Sequence, residues 1–86
     1  MPCICQFFGI AIYMYHNDHW PPHFHAEYAG GEARYEIETL RVNKGRLHRR
    51  AHGLVIEWAD IHRAELLANW RRARRGEPLV RIEPLD

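Results

Sequence analysis

The 86-residue chain has little with which to cross-link itself or to enter a membrane. Its two cysteines, Cys3 and Cys5, stand too close together to staple distant segments, which excludes a disulfide framework. No apolar run approaches the roughly 20 residues that span a bilayer. The N-terminal stretch MPCICQFFGIAIYMY lacks the basic start and small-residue cleavage site of a secretory signal, so a reduced, cytoplasmic protein is expected, with no membrane partner. Internal repeats and low-complexity segments are also missing. A net charge of only +1 argues against a protein that coats nucleic acid indiscriminately. What remains is 47 % hydrophobic and 27 % charged, the composition of an ordinary globular domain. A chain of this size buries only about 60 % of its unfolded surface, so one thin core and a single domain over residues 1–86 are expected.

The small net charge conceals an asymmetry. Residues 1–43 carry two arginines against five acids, whereas residues 44–86 carry ten basic side chains against six acids. The basic excess is concentrated in KGRLHRRAH (44–52) and RRARR (71–75), neither of which contains an acid. Arg49, Arg50, Arg71, Arg72, Arg74 and Arg75 are therefore candidates for contact with an anionic partner, RNA or DNA, through phosphate. The last four also lie where a helix C-terminus favours positive charge, which alone accounts for part of the clustering.

Periodicity then organises the chain. Residues 7–15, FFGIAIYMY, are uncharged and rich in aromatic and β-branched side chains, which predicts one central strand buried on both faces. His16 to Pro22 reads as a loop stiffened by paired prolines. From His23 to Tyr28 the pattern alternates, with Phe24, Ala26 and Tyr28 on one face and His23, His25 and Glu27 on the other. Ala33, Tyr35 and Ile37 resume the alternation after Gly30-Gly31. A two-residue turn at those glycines sets Glu27 opposite Arg34, His25 opposite Glu36 and His23 opposite Glu38, whereas a turn at Ala29-Gly30 would bring Glu27 against Glu32. The first register is the expected one. Leu40 and Val42 form a short fourth strand. From about His48 to Arg75 apolar residues recur at helical spacing, and Gly76 and Pro78 supply the stop. An unbroken helix there would measure about 40 Å, too long for so small a domain, so a bend or break between Trp58 and Arg63 is expected. The fold class that follows is α+β: an antiparallel sheet of three to four strands, covered on one face by a C-terminal helical segment of one bent or two helices.

Chemistry concentrates on the other face of that sheet. His19, His23 and His25 make a His-x3-His-x-His cluster suited to a divalent metal such as zinc, with a fourth position open. The same residues suit metal-free general acid–base chemistry, with His23 and His25 as acid and base, Glu36 orienting an imidazole, and Arg34 stabilising a phosphorane in RNA cleavage. No cofactor is required for that second chemistry. Trp58 and Trp70 lie on or beside the apolar stripe and are expected in the core, while Trp20, in the loop, is the candidate base-stacking platform. Cys3 and Cys5 are read as strand packing.

NDHWPPHFHAEY, the FFGIAIYMY before it, the ETL turn, RRAHGLVIEWADIHRAELLANW and the closing RRGEPLVRIEPL together resemble domain-of-unknown-function family 4160, a bacterial family of small proteins. The resemblance carries onto Asn17, Asp18, His19, Pro21, Pro22, His23, Phe24, His25 and the pair Asn69-Trp70. His16 lies outside the pattern, Cys3 and Cys5 stand where small hydroxyl residues are expected, and His48 stands in place of an expected proline. The resemblance implies a neighbour-encoded small partner protein, in pairs like toxin–antitoxin modules, and for some members a regulatory role. Three functions are thereby in contention: a toxin–antitoxin-type component acting on RNA, a nucleic-acid-binding regulator without catalysis, and a metal-binding protein. A non-catalytic protein-interaction module is the remaining alternative.

Overall fold

The computed structural model describes residues 3–86. Strands β1 (Cys3–Phe7), β2 (Ile10–Tyr13), β3 (His23–Tyr28), β4 (Gly31–Glu36) and β5 (Val42–Gly45) form one antiparallel sheet whose spatial order is the sequence order. Helices α1 (Arg49–Ile61) and α2 (Arg63–Arg74) follow, confirming the α+β class with five strands in place of three or four. The difference arises at residues 7–15. Phe8 and Gly9 have φ of 49° and 80°, the two successive positive values that a tight hairpin turn requires, so the expected single strand is a hairpin between β1 and β2. Phe8 is accordingly exposed, while Phe7 turns inward onto Trp58 at 5.4 Å between ring centroids.

The β3–β4 register also differs from expectation. The turn residues are Ala29 and Gly30, with φ of 50° and 82°, and not Gly30-Gly31. His25 therefore faces Arg34, His23 faces Glu36, and Glu27 faces Glu32. The like charges of that last pair are relieved diagonally, because the Glu32 carboxylate accepts from His25 Nδ1 at 3.1 Å. A two-residue offset leaves each side chain on its predicted face and changes only its partner. Leu40 is not in a strand either; it occupies the β4–β5 turn with φ 59°, and its side chain is buried.

Ile4, Ile10, Ile12, Met14, Phe24, Tyr35 and Ile37 from the sheet meet Val55, Trp58, Ala59, Leu66 and Trp70 from the helices. The helical segment breaks at His62 (φ −109°, ψ 24°), inside the expected window. A rod spanning both helices would be about 39 Å long, whereas the longest dimension of the fold is 33 Å. His48 caps α1: its Nδ1 accepts from the Arg50 N–H at 3.1 Å. Helix α2 ends at Gly76 (φ 70°), where Glu77 N–H bonds back to the Arg72 carbonyl at 2.9 Å. The tail then returns to the core. Ile82 N–H donates to the Ile4 carbonyl, Trp58 Nε1 donates to the Glu83 carbonyl, and the wholly buried Asn69 amide both donates to the Val80 carbonyl and accepts from its N–H. Among the described residues no helix is long and apolar enough to cross a membrane.

Candidate metal centre

Strand β3 projects His23 and His25 from the same face, as residues two apart must be. Their surroundings differ. His23 is 1 % exposed and packs against Trp70 of α2, at 5.2 Å between centroids. His25 lies further along the strand beneath the edge of Tyr15, at 4.6 Å. The two imidazoles are 5.2 Å apart.

The loop before β3 completes the group. Asp18 Oδ2 lies 2.9 Å from His23 Nε2 and 3.1 Å from His25 Nε2, while Oδ1 accepts from the His19 N–H at 3.1 Å. The loop is tied down from α2, whose Arg74 donates to the Asp18 carbonyl at 2.8 Å. Burial by itself would raise the Asp18 pKa. The hydrogen bond from His25, the nearby His23 and the His19 N–H outweigh it and hold the carboxyl below its ordinary value. The far side of each ring is held as well. His23 Nδ1 donates to the Pro21 carbonyl at 2.7 Å, and His25 Nδ1 donates to Glu32.

These contacts leave an excess of acceptors. A neutral imidazole carries one N–H. His23 meets an acceptor at each nitrogen, the Pro21 carbonyl and Asp18, and His25 meets a carboxylate at each, Glu32 and Asp18, so both rings face one more acceptor than a neutral imidazole can satisfy. Either a second proton or a cation must lie between Nε2 and Asp18. A tetrahedral zinc at about 2.0–2.2 Å from each donor sets the donors roughly 3.3 Å apart, and the ligand atoms of Asp18, His23 and His25 all lie within 4.8 Å of one another. Nδ1 held by a carbonyl or carboxylate is also the outer arrangement that orients metal-ligating histidines.

Residues 9–71 match a family described as a domain of unknown function, DUF4160. The chain belongs to that family. The DUF4160 match takes in all three residues of the cluster and ends within α2, before Arg72, Arg74 and Arg75. No curated protein and no solved structure matches the chain.

The predicted site residues divide. His23 and His25 are brought together; the third member is Asp18, and His19 is exposed and meets the cluster through its backbone N–H. Sequence reasoning passed over Asp18 as a ligand although it stands five residues before His23, because loop geometry decides whether its carboxylate turns toward β3. The expected pairing of His25 with Glu36 and of His23 with Glu38 is not formed. Glu36 instead accepts from Thr39 Oγ1 and Asn43 Nδ2, and Arg34 donates to Asn43 Oδ1 at 2.7 Å. Of the arginines, Arg49 and Arg50 are exposed at the start of α1. Arg72 donates to Asn69, Arg75 pairs with Glu77, and Arg71 is exposed. Cys5 is buried, which pushes its thiol pKa up, and Cys3 donates to the Cys5 carbonyl, consistent with packing.

Proposed function

We propose that this protein binds a divalent transition-metal ion, zinc by preference, through Asp18 and the Nε2 atoms of His23 and His25. The observation that carries the reading is the convergence of both Nε2 atoms on one carboxylate oxygen while both Nδ1 atoms are already hydrogen-bonded. Two imidazoles and a carboxylate are a ligand set used by zinc and by non-haem iron, and three protein ligands leave a position for water or substrate, as catalytic rather than structural centres do. Cys3 and Cys5 are outside the set: the metal-ligand group among the described residues holds neither.

The competing reading, metal-free RNA cleavage by His23, His25, Glu36 and Arg34, has less support. It assigns Glu36 to orient His25, whereas Glu36 lies opposite His23 and is engaged by Thr39 and Asn43. Asp18 and Glu32, neither of them in that residue set, are the carboxylates that reach His25. A toxin–antitoxin-type role with a neighbour-encoded partner is compatible with a metal centre, and its support is the family resemblance rather than the geometry. Protein purified without a histidine tag should take up one equivalent of zinc in a calorimetric titration, with metal content confirmed by mass spectrometry. His25→Ala should abolish uptake. Folded wild-type protein that takes up no zinc would refute the proposal.

A further inference from the structure

We infer that the groove between Trp20 and the C-terminal half of α2 binds one nucleotide of a single-stranded nucleic acid. Trp20 is the most exposed large apolar side chain among the described residues, at 73 %. Its indole stands against Trp70 at 6.4 Å and 68°, so one ring is edge-packed and steadied while the rest remains open to solvent. Together with Pro22, Leu67 and Trp70 it walls a groove of about 290 Å³ whose rim is Arg71, Arg74 and Arg75. That volume lies at the lower end of small-ligand sites, about 300 Å³, the scale of a single base with its sugar and phosphate.

Two independent features point to the occupant. The rim is made of arginines: Arg75 is paired with Glu77, while Arg71 makes no ion pair among the described residues. Arg74 is held in place over the Trp70 ring at 5.9 Å by its bond to the Asp18 carbonyl. The occupant is therefore anionic. The second feature is Trp20 itself, whose open indole offers a flat π-face above the groove. A nucleotide unites a flat π-face for Trp20 and a phosphate for the arginines, the combination by which sequence-tolerant single-strand binders work. An acidic peptide would use the arginines and leave the indole face idle. A lipid surface would call for an apolar face of several side chains, whereas Pro22 and Leu67 are half-buried and Trp70 is buried. The groove shares the Trp70 wall with His23 and the Arg74 anchor with Asp18, yet the binding chemistry is independent of a metal.

Fluorescence anisotropy with a labelled 12-nucleotide mixed-sequence RNA, its DNA counterpart and the corresponding duplex tests this, at 50 mM salt and with chelator present. Both single strands should bind more tightly than the duplex, and tighter binding of RNA would assign a contact to the 2′-hydroxyl. Trp20→Ala should weaken single-strand binding about 5- to 160-fold, the range of one base–aromatic stack, and Trp20→Phe should restore most of it. Arg71→Ala should lower the slope of log affinity against log salt by about 0.7. Circular dichroism of each variant checks that the fold is retained. Absence of binding, equal competition by polyglutamate, binding that Trp20→Ala does not weaken, or preferential capture by anionic vesicles would each overturn the inference.

Discussion

Replacing Asp18 by asparagine separates the proposed metal centre from the fold around it. The amide Oδ1 can still accept from the His19 N–H, as the carboxylate does now. The new Nδ2 falls where Oδ2 lies, 2.9 and 3.1 Å from the two Nε2 atoms, and it has two hydrogens to donate, one to each ring. Both rings are then satisfied as neutral imidazoles, with Nδ1–H on Pro21 and Glu32. The metal-free variant should therefore stay within about 1 kcal/mol of the wild type, the scale of a net hydrogen-bond exchange. Metal binding should respond quite differently, since an anionic ligand has become a neutral one. Zinc at about 100 times its dissociation constant stabilises a one-site protein by about 2.7 kcal/mol. For a domain of this size each kcal/mol moves Tm by about 4–8 °C, so wild-type protein should gain roughly 10–20 °C. Scanning calorimetry of both proteins at matched free zinc should show that gain in the wild type and little of it in Asp18→Asn. An equal gain in both would refute the assignment of Asp18 as a ligand. A collapse of the metal-free variant would refute the hydrogen-bond accounting. The pH dependence has a definite sign as well: the Asp18 pKa is lowered in the fold, so its contribution to metal-free stability is present above the ordinary carboxylate value and fades as pH falls through the depressed one. Asp18→Asn should lack that acid limb.

Asn69→Ala removes both hydrogen bonds to Val80 and should cost about 2–4 kcal/mol; limited proteolysis should then cut residues 77–86 well before the sheet, and an uncut tail would contradict the anchoring role. Burial pushes the Tyr35 pKa up to about 12, above its ordinary value near 10. The stability from keeping this phenol protonated is complete below pH 10 and declines as pH rises from about 10 toward 12, so alkaline denaturation should track ionisation of Tyr35 in ultraviolet absorbance, and Tyr35→Phe should flatten the alkaline limb. Trp58→Ala, deep in the core, should cost about 3–5 kcal/mol and leave the proposed ligands unfolded with the rest, a control against which the exposed Trp20→Ala should melt like the wild type.

The features legible in the sequence are those that local periodicity decides. Alternation along residues 23–28 and 33–37 placed Phe24, Ala26, Tyr35 and Ile37 inward and put both histidines on one face, and that assignment survives the register correction because a strand offset by two keeps its faces. The helix break at His62 followed from length alone, and the end at Gly76 from a residue able to take positive φ. Residues 7–15 were less transparent. Nine uncharged residues satisfy a long central strand and a tight hairpin equally well, and only Gly9 hinted at the second.

What tertiary structure alone decided is which groups meet. Three consecutive residues, Ala29, Gly30 and Gly31, offer two adjacent turns, and the choice rests on a diagonal contact between Glu32 and His25 that no pairing rule for directly opposed residues contains. The position of Asp18 depends on Arg74, 56 residues away in the chain, which grips its carbonyl from the end of α2. Asn69 and Trp58 similarly hold a tail that has no periodicity of its own. Faces are set by bond geometry within a few residues and can be read along the chain. Partners are set by packing between segments distant in sequence, where the free energy of one contact depends on all the others that close with it.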